Sequence, residues 1–391
     1  RSLIATLEVY SLLKRLCILL ILMIAVFTMM PAVARAAPQA PDISSQVAVL
    51  MDQVTGEVIY AKNETEQWEP ASLTKIMTMY LALEAINNGS LSLDEMITVS
   101  ERAWRTGGSR MYIEVDTQVS VADLLKGISI VSGNDASVAV AERLGGSVEG
   151  FAARMNEKAK HLGLTDTNFT NPHGLPDEEH YTTGLDIARL ARAYINDFPQ
   201  ALEYHSTREY TFNNITQQNR NGLLKYPEID GLKTGFLSST CNLIATGKRD
   251  DYRLIAVIMG AASETAREQD ALALLNFGFD NYAASQIGKA GQSFGEIPVY
   301  KGKRGRVKAV LPADLTVTVY KNAEVKVNTD LPAYLEAPLA KGQQIGSLVI
   351  EAREQQKSYP LVAAEEIRRG NFLKVIWHNL LLGIKKLLGM I

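Results

Sequence analysis

Three short segments of the chain carry the residue types of nucleophilic catalysis. The first is Ser72-Leu-Thr-Lys75. On a helix, residues three apart lie one turn above each other, which brings a hydroxyl and an amine within hydrogen-bond reach. Serine alone is a poor nucleophile and needs an adjacent base. Lysine can be that base if burial and a neighbouring cation lower its pKa. Pro70 stands just ahead, at a helix start, where free N–H groups and the positive end of the dipole favour a developing oxyanion. The second segment is Ser132-Gly-Asn134. In an extended loop, residues two apart point the same way, so a hydroxyl and an amide would face one site. Ser and Asn also suit a helix cap. The third is Lys233-Thr-Gly235, the only such tripeptide in the chain. On a strand edge, Lys and Thr can bind a carboxylate by charge and hydroxyl, and glycine lets a substrate backbone approach.

Each segment is weak alone, and Ser11-Leu-Leu-Lys14 repeats the first spacing in an N-terminal apolar stretch. What matters is whether the fold brings the three together. Apolar runs at 47–51 and 57–60 around a Gly turn predict a hairpin. Helical periodicity covers 72–88, 121–144, 151–162, 184–196 and 264–284, and two strands lie within 241–260. Strands at both ends of 40–285 with helices between them predict an α/β domain: one sheet assembled from both ends, with a helical lobe inserted. From about 291 the character changes. Alternating segments at 315–320, 324–328 and 347–352 predict a small antiparallel β domain.

The ends suggest a compartment. Lys14 and Arg15 precede an apolar run over 16–30, then Pro31 and Ala34-Arg35-Ala36, the order of an export signal cut after residue 36. At the other end, apolar residues at 373, 376, 377, 380, 384, 387, 388 and 391 recur with helical spacing, with lysines mostly on the other side. This predicts a helix lying in a membrane interface. The expected layout is a signal over 1–36, a catalytic domain over 37–290, a β domain over 291–365 and an anchoring helix over 366–391. Its place would be the outer face of the cytoplasmic membrane.

The 391 residues are 47% hydrophobic and 21% charged, with a net charge of −3. That excludes a disordered chain and gives no electrostatic footprint for nucleic acid. The histidines form no H-E-x-x-H pair, so neither a metal nor another cofactor is expected. Cys17 and Cys241 cannot make a disulfide framework, and Cys241, in an apolar run, reads as core.

Taken in order, the three segments match the S-x-x-K, S-D-N and K-T-G set of penicillin-binding proteins and class A β-lactamases. The chain resembles, more narrowly, the low-molecular-mass penicillin-binding proteins that are serine-type D-alanyl-D-alanine carboxypeptidases (peptidase family S11). The segments 70–78 (PASLTKIMT), 131–136 (VSGNDA), 171–175 (NPHGL), 180–183 (HYTT) and 230–236 (DGLKTGF) carry the likeness. Gly133 at the centre of the second motif is the usual form in that family. The resemblance implies a β-lactamase/transpeptidase-like catalytic domain acting on peptidoglycan pentapeptides and acylated by β-lactams. It implies Ser72 as nucleophile, Lys75 as base and Ser132 as proton relay to the leaving amine. Asn134 would hold the peptide and Lys75, Lys233 and Thr234 the terminal carboxylate, with Gly235 and Phe236 beside them. Backbone N–H groups of Ser72 and Phe236 would form the oxyanion hole. Arg220 and Arg267 fall at positions near the carboxylate subsite, where a surface ion pair is the plainer alternative. The chain has no E-x-x-L-N segment between Asn134 and Lys233, so a β-lactam acyl group is expected to linger on Ser72. A DD-endopeptidase, a β-lactamase and an idle wall-binding scaffold are the competing readings.

Overall fold

The computed structural model describes residues 37–388. The signal expected over 1–36, with Cys17 and the Ser11–Lys14 pair, lies outside the described residues. Strand β1 (Val47–Asp52) and β2 (Val58–Lys62) form the expected hairpin. Three more strands come from far along the chain: β5 (Ile229–Phe236), β6 (Cys241–Arg249) and β7 (Tyr252–Ala261). They join the hairpin in one antiparallel sheet of order β2-β1-β7-β6-β5. The sheet is therefore assembled from both ends of the catalytic segment, as the element order predicts.

Successive side chains on a strand point to opposite faces, and β1 is buried along its whole length. Val47, Val49 and Met51 share a core with Ile187, Ala188 and Ala191 of α5 (Gly184–Asp197). Ala48 and Leu50 share the other core with Ala271, Leu274 and Leu275 of α6 (Glu264–Asn281). A sheet covered on both faces explains why β1 reads as a continuous apolar run rather than an alternating one. Cys241 belongs to the α6-side core and is a buried free thiol.

The helical lobe contains α1 (Lys75–Asn87), α2 (Val121–Ser129), α3 (Asn134–Gly145) and α4 (Val148–His161). Here the sequence expectation needs correction. The periodic stretch 121–144 is two helices, not one. Ser132 takes the left-handed conformation at φ +62°, which a continuing helix does not tolerate, and the Gly133 N–H donates back to the Gly127 carbonyl at 2.9 Å. Nor is Ser132-Gly-Asn134 extended: Asn134 is the first residue of α3.

A second correction concerns the end of the domain. Helix α6 stops at Asn281, whose side-chain amide donates to the Phe277 carbonyl at 2.9 Å. Tyr282–Gly288 then form β8, paired with β11 (Leu315–Tyr320). The β region thus begins before residue 291. Its main sheet has the order β12-β14-β15-β10-β9-β13, built from β9 (Ser293–Tyr300), β10 (Arg306–Val310), β12 (Lys326–Asp330), β13 (Leu335–Glu336), β14 (Gln344–Ala352) and β15 (Gln355–Ala363). It is antiparallel except for the short parallel pair β9–β13. Ile367 is buried in this domain's core and bridges to Leu339, so the β domain also runs past 365. It is tied to the β1–β2 turn: Thr318 donates to Asp52 at 2.8 Å, and the half-buried Arg353 pairs with Glu57 at 2.6 Å.

Helix α7 (Phe372–Leu387) closes the described chain. Its polar side docks on the β domain: Lys385 reaches the Tyr300 hydroxyl at 3.0 Å, and the Lys301 N–H donates to His378 Nδ1 at 2.5 Å. Leu373, Ile376, Trp377, Leu380, Ile384, Leu387 and Leu388 are exposed. Every described position of the apolar stripe thus faces outward.

Candidate active site

The nucleophile turn sits at the sheet. Ser72 lies in a single 3-10 turn, Ala71–Thr74, that runs into α1. Asn242, fully buried on β6, holds the approach to this turn by donating to the Glu69 and Pro70 carbonyls at 3.0 and 3.3 Å, while its oxygen accepts the Gly260 N–H at 3.0 Å. Ala71 is held at φ +50°, a conformation costly for a residue with a Cβ. Gly235 of β5 passes so close that a Cβ there would meet the Pro70 carbonyl at 3.1 Å. The third motif therefore needs its glycine for packing against the first, as well as for any substrate.

Lys75 is fully buried and its Nζ has three neighbours: Ser72 Oγ at 2.8 Å, Asn134 Oδ1 at 2.7 Å and the His173 carbonyl at 2.7 Å. Burial drives its pKa well below the ordinary lysine value, helped by the charges of Lys233 and Arg220 and opposed by that of Asp135. A neutral amine has two N–H bonds and one lone pair. Asn134 and His173 offer only acceptors and take the two N–H bonds. The lone pair is left for the hydroxyl of Ser72, which donates to it. This is the arrangement a general base requires.

The carbonyl of His173 comes from a loop that is itself tied to α1. Thr78 donates to the Pro172 carbonyl at 2.6 Å, and Thr74 meets His180 Nε2 at 2.8 Å. Asn171 Oδ1 accepts the Gly174 N–H at 2.7 Å. Desolvation lowers the His173 and His180 pKa values to about 3 and about 4, so both rings are neutral. His173 Nδ1 accepts the Leu175 N–H and His180 Nδ1 the Thr170 N–H. Among the described residues no three His, Cys, Asp or Glu side chains converge as a metal site.

Ser132 is 3% exposed and its Oγ has no hydrogen-bond partner among the described residues. Lys233, also buried, donates to the Thr234 carbonyl at 2.9 Å. Its pKa falls to about 7 through burial and the cations of Arg220 and Arg267, so an arriving carboxylate would restore its full charge. Arg267 is buried, not at the surface; its Nη2 lies 3.5 Å from Glu268, and its Nε has no hydrogen-bond partner among the described residues. Phe236 is 63% exposed.

Ser72, Ser132, Asn134, Arg220, Thr234, Gly235, Phe236 and Arg267 line one cavity of about 280 Å³. Lys75 and Lys233 are buried among them. A larger cavity of about 440 Å³, lined by Glu84, Arg154, Lys158 and His161 on α1 and α4, holds no motif residue. Size does not choose the site here; the converging chemistry does. Sequence reasoning missed Asn242, the His173 carbonyl and Asp135. Asn242 had a signal, a lone amide in an apolar run. Asp135 donates nothing and instead receives four backbone N–H groups.

Comparison with known proteins identifies the family. The family described as D-alanyl-D-alanine carboxypeptidase matches residues 34–263, and the penicillin-binding protein 5 C-terminal domain matches 282–369. The D-alanyl-D-alanine carboxypeptidase DacA of Haemophilus influenzae is 38% identical over 89% of this chain and 91% of its own. The crystal structure of penicillin-binding protein 5 from the same organism superposes with a TM-score of 0.82 at 38% identity, covering 85% of this chain and 100% of that one. Penicillin-binding protein D2 of Listeria monocytogenes, solved in an ampicillin-bound form, gives a TM-score of 0.57 at 30% identity over 62% of this chain and 100% of its own. With the motifs, the sheet and both domains in agreement, the chain belongs to the D-alanyl-D-alanine carboxypeptidase family.

Proposed function

We propose that this chain removes the terminal D-alanine from cell-wall pentapeptides through an acyl-enzyme on Ser72. The observation that carries this is the buried Lys75 amine, 2.8 Å from Ser72 Oγ with two carbonyl oxygens taking its N–H bonds. Ser72 attacks the carbonyl of the penultimate D-alanine and its proton passes to Lys75. Ser132, whose hydroxyl is otherwise unengaged among the described residues, relays a proton to the departing amine. Lys233 and Thr234 hold the terminal carboxylate, with Arg220 and Arg267 adding positive potential, and backbone N–H groups of Ser72 and Phe236 take the oxyanion. Water then releases the tetrapeptide. A β-lactam amide is opened by the same attack, and the ampicillin-bound relative supports that reading.

The test is a pentapeptide ending in D-Ala-D-Ala, with free D-alanine measured, beside a fluorescent penicillin whose attachment is mapped by mass spectrometry. One D-alanine per peptide and label on Ser72 are expected. Label on another residue, or none, defeats the reading. Cleavage of crosslinked dimers with intact pentapeptide would identify an endopeptidase, and rapid multiple turnover of the penicillin a β-lactamase.

The chain is further proposed to work at the outer face of the cytoplasmic membrane, held by α7. The outward apolar stripe of α7 supports this, and no helix among the described residues is long and apolar enough to cross a membrane. Because Ile367 belongs to the β core, the cut should fall after Gly370. Removing 371–391 is expected to release the protein from anionic lipid vesicles in a flotation assay and leave penicillin acylation unchanged. Undiminished flotation would refute the anchor.

A further inference from the structure

Beside Asn134 lies a fully buried carboxylate that the mechanism proposed above does not use. Asp135, the second residue of α3, is 0% exposed. Its Oδ1 accepts the Met111 N–H at 2.9 Å, and its Oδ2 accepts those of Tyr112 at 2.9 Å and Ile113 at 3.3 Å. The Ala136 N–H, at the start of the same helix, adds a fourth at 2.9 Å. A buried charge is tolerated only when satisfied in this way. Here three of the four donors come from a separate segment, so the carboxylate pins 107–113 onto α3.

That segment in turn orients Asn134. The Gly107 carbonyl accepts from Asn134 Nδ2 at 2.7 Å, and the Ser109 carbonyl accepts the Asn134 N–H at 2.8 Å. Gly108, at φ +78°, lies so near the amide that a Cβ there would meet Nδ2 at 2.7 Å. With Nδ2 committed to Gly107, Oδ1 is the end presented to Lys75. A flipped amide would oppose N–H to N–H. From the far side the hairpin of β3 (Glu209–Phe212) and β4 (Ile215–Gln218) holds the same segment. Asn213 Nδ2 donates to the Tyr112 carbonyl at 2.9 Å, and Gln217 Nε2 to that of Arg110 at 3.0 Å.

We propose that Asp135 is a positioning residue for acylation: it clamps segment 107–113 to α3 so that the Gly107 carbonyl keeps the Asn134 oxygen on Lys75, with the β3–β4 hairpin as the outer brace. This rests on the serine-acylation reading. The charged and titratable groups facing Lys75 are Lys233 of β5, Arg220 ahead of it, His173 and His180 of the 171–180 segment, and Asp135 itself. Only Asp135 raises the Lys75 pKa. Its neutralisation therefore makes Lys75 easier to deprotonate and moves the acid limb of the acylation profile to lower pH.

The experiment compares wild type, Asp135→Asn and the double variant Asn213→Ala/Gln217→Ala in fluorescent-penicillin acylation from pH 5 to 9, together with hydrogen exchange of 107–113. In Asp135→Asn the second-order acylation constant is expected to fall by about 10- to 100-fold, the scale of a misplaced catalytic group. Its acid limb should shift downward and the Met111–Ile113 amides should exchange faster. The double variant should lose about threefold with its acid limb unmoved. A folded Asp135→Asn protein with wild-type rate and profile overturns the proposal. Should that variant not fold, the double variant decides, and a wild-type rate in it overturns the proposal equally. A wild type that takes no penicillin defeats the underlying reading instead.

Discussion

Replacing Lys75 by methionine should lower penicillin acylation of Ser72 by about 10³-fold, within the range carried by a positioned general base. Methionine fills the buried volume and has no lone pair of comparable basicity. Ser72 would stay in place, because the turn is held by Asn242 and by packing against Gly235 rather than by the amine. The fold should survive with a changed pH response. Lys75 has a folded pKa below its unfolded value. Between those two values the unfolded chain binds the extra proton, so stability rises with pH through that window, and below it the full cost of burying the amine is felt. The Met variant lacks this contribution, and its melting temperature should climb less between neutrality and about pH 10. Against this, the Asn134 and His173 oxygens lose a donor, at about 1–3 kcal/mol each. Acylation within tenfold of wild type would remove Lys75 from the role of base.

Changing Gly174 to alanine should damage stability and acylation together. Gly174 sits at φ +82°, and a Cβ there would lie 1.7 Å from the Ala71 carbonyl oxygen and 2.8 Å from Thr74 Oγ1. The first neighbour is backbone, on the residue before the nucleophile, so it cannot swing aside as a side chain would. Left-handed backbone costs an alanine about 1 kcal/mol, and forced overpacking adds about 1–3 kcal/mol. The expected loss is about 3 kcal/mol, or about 4 °C in melting temperature for a chain of this size. Relief of the clash must displace either the Ser72 turn or the His173 carbonyl, and about 1 Å of misplacement costs about 100-fold in rate. Gly163→Ala is the control. It has a similar φ of +72° with nothing among the described residues within 4 Å of the added Cβ, and should lose only about 1 kcal/mol with acylation intact. Equal behaviour of the two variants in thermal melts and labelling would show that backbone angle, not contact, is what Gly174 supplies.

The legible part of this protein was written in side chains. Ser72, Lys75, Ser132, Asn134, Lys233 and Thr234 announce themselves by type and order, and the apolar runs of β1, β6 and β7 announce the sheet. What stayed hidden is main chain and conformation. The carbonyls of His173 and Gly107 take part through atoms every residue has. The left-handed turn at Ser132 falls inside an uninterrupted helical pattern, because the periodicity of α2 and α3 runs on across it. Residues 282–284 read as the tail of a helix because a few residues after a long amphipathic run fit either period, and only pairing with β11 decides. Arg220 and Arg267 could not be separated from surface ion pairs by sequence. The burial of Arg267 among the motif residues is a property of the assembled cavity.

The order of the sheet has a temporal consequence. Strand β7 lies between β1 and β6, so the first strand of the catalytic domain has no inner neighbour until the chain has been made as far as Ala261. Ser72 and its proposed base Lys75 come early in the chain, and the lysine of the third motif follows about 160 residues later. A chain emerging from its N-terminus therefore carries the proposed nucleophile pair, with Asn134 and the His173 carbonyl available to Lys75, before Gly235 and Asn242 can hold the Ser72 turn. With long-range pairing the slow event in such topologies, acylation of Ser72 is expected to follow closure of the sheet. Penicillin capture by Ser72 is on this account a clock for the completion of folding.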